Sequence, residues 1–221
     1  MQRVKLVKKI LIVSQAMEIG GAEKALLGLL EAIDKKIFQV DLFLLRHTGE
    51  LLKYIPDNIT ILPEKKEYAM LGIPLKETLR EKEYNIFWGR LKGNLRANKY
   101  VRKNYFKDAA AVNDEYSHKY TVNCMPMISD EEYDLAISFL APHYFVSKKV
   151  IAKEKMAWIH TDYETVEIDV DSELGMWSEY DYIASISDKV TESFLKTFPS
   201  LHNKIILFEN IMPVEYIRNL S

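Results

Sequence analysis

The chain has 221 residues, 48% of them hydrophobic and 28% charged, which is typical of a globular protein and excludes a disordered one. Its 30 basic and 32 acidic residues sum to a net charge of −2, so overall charge does not indicate a nucleic-acid-binding protein. The single cysteine, Cys124, excludes an intrachain disulfide and fits a reducing compartment. The apolar run 10–13 is too short for a signal peptide, and no stretch approaches the roughly 18 apolar residues of a membrane-spanning helix. We therefore expect a cytoplasmic protein with one α/β domain.

The first 62 residues alternate between strand-like and helix-like patterns. Residues 9–14 are apolar on both faces, which is typical of a buried parallel strand. In the second predicted strand, Val40, Leu42 and Leu44 share one face, and Phe43 lies on the other. Strand, helix and strand within about 35 residues indicate the start of a doubly wound sheet. The predicted elements are strands at 9–14, 38–45 and 59–62 and a helix at 22–33.

The alternation stops at residue 65 and resumes at residue 134. The segment between them, about 65–125, is polar and aromatic, and we predict a helical insert there. Ser187 is placed to cap the last predicted helix. We therefore predict an α/β, Rossmann-like, mostly parallel sheet with helices on both faces. The remaining predicted elements are strands at 134–139, 155–160, 181–186 and 204–208 and helices at about 142–151 and at 188–197.

Two features lie where ligands bind in such sheets, beyond the carboxyl ends of the strands. Gly20 and Gly21 join the first strand to a helix, whose N-terminus suits a phosphate; the alternative is a tight turn. The dinucleotide pattern G-x-G-x-x-G is absent, which disfavours a Rossmann oxidoreductase. His160 ends a predicted strand at the same crevice and could act as a base, or it could be a structural histidine.

The motif Asp169-Val170-Asp171 spells D-x-D, a carboxylate pair that holds a divalent metal in some sugar transferases. That use requires the motif at the end of a buried strand. Here it lies in a polar connection, so we favour a solvated loop or a helix start and predict no metal site.

Residues 84–107 contain seven basic residues and no acidic one. Helical spacing places the basic side chains along one face, beside an apolar strip formed by Phe87, Trp88, Leu91 and Leu95. This pattern fits a helix attracted to an anionic membrane surface, or a solvated amphipathic insert packed on the domain; Gly89 and Gly93 weaken the helix prediction. The predicted membrane-facing residues are Trp88, Lys92, Arg96, Lys99 and Lys103.

Three stretches, in this order and spacing, carry a resemblance that covers nearly the whole chain outside the insert. They are residues 10–30 with the sequence Gly-Gly-Ala-Glu, the strand that ends in His160, and residues 184–211 with Ser187 and Asn210. Together they resemble the N-terminal domain of group-1, family-4-type glycosyltransferases of the GT-B fold. The asparagine is followed by Ile211 here, where the family usually has glycine.

The resemblance implies an enzyme with two Rossmann-like domains and its active site in the cleft between them. It implies retaining, metal-independent transfer of a sugar from a nucleotide-sugar to a glycan or lipid-linked acceptor, in cell-surface polysaccharide synthesis, with no further cofactor. Gly20 and Gly21 would contact the donor diphosphate, and His160 would be the catalytic residue. The resemblance also places four residues toward the acceptor and the cleft: Thr161, Asp162, Ser187 and Asn210.

The family's donor-binding domain would follow residue 213, and it is missing from this sequence. We therefore predict an acceptor-side domain at 1–213 and the start of a linker at 214–221. We expect the domain alone to be inactive and the full-length form to be peripheral on the inner face of the membrane. The alternative is a stand-alone binding or partner subunit with no catalysis of its own.

Overall fold

The computed structural model describes residues 7–220, with side chains to residue 218, and shows an α/β fold. Residues 1–6 and Ser221, which belong to the predicted domain and linker, lie outside the described residues. The strands are β1 (Lys8–Ser14), β2 (Phe38–Leu44), β3 (Ile59–Ile61), β4 (Glu132–Ser138), β5 (Ile151–Ile159), β6 (Tyr182–Ser185) and β7 (Ile205–Leu207). The helices are α1 (Gly21–Ala32), α2 (Lys66–Ala69), α3 (Leu75–Arg80), α4 (Tyr84–Asn104), α5 (Ala110–Thr121), α6 (Tyr144–Lys149), α7 (Val170–Trp177), α8 (Asp188–Thr197) and α9 (Val214–Leu220).

The strands form one sheet in the order β3-β2-β1-β4-β5-β6-β7, and every neighbouring pair is parallel. At its centre, Ile10 of β1 is aligned with Val40 of β2 on one side and with Leu135 of β4 on the other. The chain therefore winds outward in both directions from β1 and β4. This confirms the predicted doubly wound sheet and places its switch point, where ligands bind in such folds, between these two strands.

Helices cover both faces of the sheet because each strand buries alternate side chains on opposite sides. Ile10 and Ile12 pack with α1, whereas Leu11 and Val13 pack on the other face. In β2 the alternating residues Val40, Leu42 and Leu44 belong to the α1 side, and Phe43 belongs to the opposite side, as predicted. Burial on both faces explains why these strands are almost continuously apolar.

The predicted insert contains α2 to α5. Its two long helices approach closely at two glycines of α4: a Cβ added to Gly89 would lie 2.8 Å from the carbonyl oxygen of Tyr120, and one added to Gly93 would lie 2.7 Å from that of Tyr116. Helix α4 runs unbroken over 21 residues, although Gly89 and Gly93 made the helix prediction weaker. Close packing on α5 offsets the propensity cost of about 1 kcal/mol per glycine.

The helix predicted at about 142–151 is shorter in the structure at both ends. Helix α6 has only six residues, Tyr144–Lys149, and β5 begins at Ile151, four residues before the predicted start. Pairing with β4 is the reason, since Glu132 is aligned with Ile151 and Tyr133 with Ala152. A tertiary contact, invisible in the local pattern, therefore decides the conformation of this stretch.

The end of the described chain returns to α1. The backbone of Ile211 crosses α1 at Gly28, where a Cβ would lie 2.0 Å from the Ile211 carbonyl oxygen. The carboxylate of Glu31 then accepts hydrogen bonds from the backbone N–H groups of Glu215 and Tyr216 at the start of α9. None of the helices in residues 7–220 combines the length and the apolar character needed to cross a membrane.

Candidate functional site

The crevice at the switch point lies between the loops that follow β1 and β4. The side-chain amide of Gln15, directly after β1, donates to the carbonyl oxygen of Ala141, after β4, at 2.6 Å. The peptide bond between Ala141 and Pro142 is cis. Helix α5 of the insert faces this edge of the sheet, because Asp114 and His118 line a pocket together with Gln15 and Pro142. The insert therefore roofs the position at which a doubly wound sheet binds its ligand.

A larger pocket of about 240 Å³, which we call the acidic pocket, lies between α5, α7 and the loops after β4 and β5. Three carboxyl groups and two histidines contribute to its wall, and neither lysine nor arginine does. Its lining residues are Ala111, Asp114, Glu115, His118, Ala141, Pro142, His143, Tyr144, Thr161, Tyr163, Val166, Ile168, Glu173, Met176 and Trp177.

Glu115 is nine-tenths buried, and its two carboxylate oxygens differ in their surroundings. Oε1 accepts from the hydroxyl of Tyr144 and, at 2.5 Å, from the hydroxyl of Ser172. Oε2 is buried and has no donor among the described residues. Burial raises the pKa of this carboxyl above its ordinary value, and the two hydroxyl donors oppose that shift.

Glu173, on α7, is 8% exposed. Its Oε2 accepts from the Tyr163 hydroxyl at 2.9 Å and from the indole N–H of Trp177 at 3.3 Å. Burial raises its pKa to about 7, and the charge of Glu115 adds to the shift. A carboxyl group that titrates near neutral pH can both donate and accept a proton, so Glu173 has the properties of a general acid or base.

The two histidines of the acidic pocket are held neutral. Burial lowers the pKa of His118 and of His143 to about 3. His143 is hydrogen-bonded through Nδ1 to the hydroxyl of Ser138 at 2.8 Å and lies on the ring of Trp177, with 4.7 Å between ring centroids. Both rings therefore face the pocket as uncharged polar groups.

The neighbouring pocket, of about 130 Å³, shares Asp114, His118 and Pro142 with the acidic pocket. It also contains Arg46, which follows β2 and whose guanidinium packs over Gly72. The structure gives this guanidinium no hydrogen-bond or ion-pair partner among the described side chains. The two adjoining pockets therefore differ in charge: the larger one is lined by carboxyl groups, and the smaller one contains an arginine.

His160 directly follows β5, one residue before Thr161 of the acidic pocket. Its ring contacts Phe139, at 4.7 Å between centroids, and stacks parallel to Trp158 at 6.4 Å; both belong to the core on the α1 side. Its Nε2 is buried and has no partner among the described residues. Burial lowers its pKa to about 4, so the ring is neutral at pH 7.

Gly20 and Gly21 lie at the start of α1, which begins at Gly21, one residue earlier than predicted, with Gly20 in the N-cap position and in an extended conformation. A Cβ on Gly21 would contact nothing within 4 Å, whereas one on Gly20 would collide with the carboxylate of Glu23. The helix start is therefore open at Gly21, and Glu23 lies beside the place where a phosphate would bind.

The other four predicted cleft residues have different surroundings in the structure. Thr161 is exposed and lines the acidic pocket. Asp162 forms an ion pair with Lys189 at 3.0 Å, and the hydrogen bond from Lys189 lowers the pKa of the Asp162 carboxyl. Ser187 caps α8 by accepting from the Val190 N–H at 3.3 Å, as predicted. Asn210 is exposed in the segment that precedes the crossing of α1.

The D-x-D motif starts a helix, which is one of the two readings that its position favours. The Asp169 carboxylate caps α7 by accepting from the Ser172 N–H at 3.1 Å, and it also accepts from the Tyr116 hydroxyl at 2.5 Å. Asp169 is 9% exposed, whereas Val170 and Asp171, the other two residues of the motif, are exposed. Within the described part of the chain, no group of three or more histidine, cysteine or carboxylate side chains is arranged so that it could hold a metal ion.

The basic segment 84–107 becomes α4 and the turn after it. Trp88 and Leu95 are each 63% exposed, whereas Phe87 and Leu91 are partly buried. A groove of about 200 Å³ between α4 and α5, which we call the basic groove, has no acidic residue in its wall. Lys92 lies outside the groove over the Tyr120 ring, 4.9 Å from its centroid. The groove is lined by Arg96, Lys99, Tyr100, Lys103, Tyr116 and Tyr120.

Sequence reasoning missed Glu115, Glu173, His143 and Arg46. Each lies in a segment whose pattern is unremarkable by itself, and their convergence arises from the packing of the insert on the sheet. The sequence offered one indication of these residues, namely the acidic residues among the positions of α5 that face inward. A helix that packs such residues against the domain must give their carboxyl groups a partner or bury them in a neutral form. Comparison of the chain with protein-family models and with curated proteins gives no match.

Proposed function

We propose that this chain is the acceptor-side domain of a retaining sugar transferase that takes its donor from a nucleotide-sugar. The observation that carries the proposal is the acidic pocket, at the carboxyl edge of β4 and β5 and roofed by the insert. Buried carboxylates accept hydrogen bonds from sugar hydroxyls, and aromatic walls pack on the apolar faces of a sugar ring. A pocket of about 240 Å³ is small for a ligand site and suits a single sugar unit.

The donor side of the proposal rests on the start of α1 and on His160. The N–H groups at the open helix start near Gly21 suit a diphosphate, provided that Glu23 turns away. The backbone hydrogen bond between the His160 ring and Phe139 leaves Nε2 as the unpartnered nitrogen of a neutral ring, which is able to accept one hydrogen bond from a sugar hydroxyl. A second domain would supply the remaining donor contacts, and no metal or other cofactor is required by this scheme.

The test is a transfer assay on the product of the complete reading frame, with a panel of nucleotide-sugars and glycan or lipid-linked acceptors. We expect release of the nucleoside diphosphate to depend on the acceptor. In the His160→Ala variant we expect turnover to fall on the order of 100-fold or more while the fold is retained. The matched control is His202→Ala, since His202 is exposed and hydrogen-bonds only its neighbour Asn203. Unchanged turnover in His160→Ala would remove this residue from the reaction.

One observation favours a second candidate, a binding or partner subunit without catalysis. The described residues already form the acidic pocket, so a ligand can be tested for binding to this chain by itself. Sugar binding by the chain, together with no transfer from any nucleotide-sugar in the panel, would select this alternative.

The proposal extends to the cytoplasmic face of a membrane as the place where a lipid-linked acceptor is met. Trp88 and Leu95 are exposed on the same stripe of α4 as Lys92 and Lys99. Each basic side chain near an anionic surface contributes about 1 kcal/mol to binding at low ionic strength. The basic groove and the exposed apolar side chains beside it would then rest on anionic headgroups.

A further inference from the structure

The acidic pocket is unusual in the imbalance of its charges. Asp114, Glu115 and Glu173 contribute carboxyl groups, both histidines in the wall are neutral, and the wall contains no lysine or arginine. Burying a carboxylate without a cationic partner costs free energy. A wall of this composition therefore favours an occupant that brings positive charge.

Two cations, Lys119 and Arg90, act on the wall carboxyls from behind it, and Arg46 lines the neighbouring pocket that shares Asp114. The ammonium group of Lys119 donates to the Ser172 hydroxyl, which in turn donates to Glu115. The guanidinium of Arg90 donates to the carbonyl oxygens of Met70 and Ile73 at 2.6 and 2.8 Å. Neither cation lines the pocket, although the charge of Lys119 lowers the pKa of Glu115 and that of Arg90 lowers the pKa of Asp114; burial still raises both pKa values overall. The pKa of Glu173 is raised by burial and by the charge of Glu115.

Glu115 provides an independent observation. Its Oε1 is satisfied by two hydroxyl donors, whereas its Oε2 is buried and has no donor among the described residues, in a side chain that is nine-tenths buried. A buried acceptor of this kind needs a partner, and an ammonium group supplies up to three N–H donors. Glu173 presents a second carboxylate, with its Oε2 held in place by Tyr163 and Trp177.

We infer that the acidic pocket selects a small hydroxylated ligand that carries a protonated primary amine, such as an amino sugar, and that Glu115 and Glu173 hold the ammonium group. This inference rests on the proposed function, because it assigns the acceptor of the transfer to the amine-bearing class. Charge-assisted hydrogen bonds are about twice as strong as neutral ones, so the ammonium group provides most of the discrimination against a neutral sugar of the same size.

Binding has a second consequence that can be measured. An ammonium group beside Glu173 stabilises its carboxylate and lowers its pKa from about 7. At pH 6 to 6.5 the pocket therefore releases a proton when the amine binds. A neutral ligand leaves the protonation of the carboxyl groups unchanged or raises it.

The experiment compares glucosamine with glucose and N-acetylglucosamine by calorimetric titration of the chain at pH 6.5, in two buffers of different ionisation enthalpy. We expect glucosamine to bind on the order of 10- to 100-fold more tightly than either neutral sugar, with proton release. In Glu115→Gln we expect this preference to fall to less than threefold, and the matched control Glu164→Gln, an exposed residue paired with Lys196, should keep it. The wild-type comparison needs no variant and so decides the question even if Glu115→Gln does not fold.

Equal affinity for glucosamine and glucose, or binding without proton release, would overturn the inference and leave the proposed sugar transfer untouched. Amine-selective binding with no transfer from any nucleotide-sugar would sustain the inference and contradict the proposed function. The two failures are therefore distinguishable.

Discussion

Helix α5 separates two regions of opposite charge. On the side toward the sheet it contributes Asp114 and Glu115 to the acidic pocket, and on the side toward α4 it contributes Tyr116 and Tyr120 to the basic groove. Glu115 is enclosed and burial raises its pKa, whereas Asp114 and the cations of the groove are exposed, and those cations make no ion pair among the described residues. Burying a charge costs stability, while an exposed charge costs little.

A hydrogen bond of Tyr116 connects the two regions. Tyr116 lines the basic groove, and its hydroxyl donates to Asp169, the cap of the helix that carries Glu173. The pocket and the groove therefore depend on the same placement of α5. The comparison leads to three predictions, in order of decreasing effect on stability.

The largest effect is expected from Gly93→Ala, because the new Cβ would lie 2.7 Å from the Tyr116 carbonyl oxygen and force α4 away from α5. We expect the free energy of unfolding to fall by about 1–3 kcal/mol. Urea denaturation measures it, and Gly175→Ala is the matched control. Gly175 also lies in a helix but has nothing within 4 Å of its Cβ position, so that variant should gain about 0.5–1 kcal/mol. Equal effects at both positions would contradict close packing as the reason for Gly93.

The second prediction concerns the neutral histidine of the pocket. The pKa of His143 is about 3 in the folded chain and 6.5 ordinarily, so the unfolded chain binds its proton first and stability falls as pH falls below 6.5. Each such proton contributes about 1.4 kcal/mol per pH unit. In His143→Phe, which keeps a ring against Trp177, we expect the slope of unfolding free energy against pH between 6.5 and 4.5 to decrease by about that amount.

Urea denaturation at three pH values measures this slope. Loss of the Ser138 hydrogen bond lowers the stability of His143→Phe at every pH and does not alter the slope. The same slope in the variant and in the wild type would show that His143 is accessible to protons in the folded chain.

The smallest effect on stability is expected in the basic groove. Replacing Arg96, Lys99 and Lys103 together by glutamine should change the free energy of unfolding by no more than about 0.5 kcal/mol, because none of the three forms an ion pair among the described residues. Sedimentation with vesicles that contain phosphatidylglycerol should decrease strongly in the variant. Wild-type sedimentation should also weaken at high salt.

A matched triple replacement of exposed cations elsewhere, Lys35, Lys36 and Lys53, controls for net charge. Sedimentation that is lost equally in both variants, or that is absent in the wild type, would leave the segment as a solvated insert.

The alternation of strands and helices was readable from the sequence because the signal is local. The apolar faces of β2 at Val40 and Phe43 follow directly from the period of two, and the cap at Ser187 follows from one residue type before a helix. The start of β5 at Ile151 was missed because pairing with Glu132 of β4, 19 positions earlier, overrides the local pattern.

The candidate site was less predictable than the fold. Gly20, Gly21 and His160 were found because they lie next to strand ends, a position that local periodicity reveals. Glu115 and Glu173 are brought together only by the docking of the insert on the sheet, and no spacing in the sequence encodes that contact. Burial of their carboxyl groups, which gives the pocket its character, is likewise a property of the assembled fold.

The position of the insert also determines the order in which the chain can fold. At the centre of the sheet, Ile10 meets Val40 across 30 residues and Leu135 across 125 residues. Closing the longer loop costs about 1.3 kcal/mol more in chain entropy than closing the shorter one. Helices α4 and α5 are neighbours in sequence and form a local hairpin, which shortens that loop before β4 arrives. The rate of folding should therefore depend on the α4–α5 contact, and loosening it should slow the joining of the two halves of the sheet.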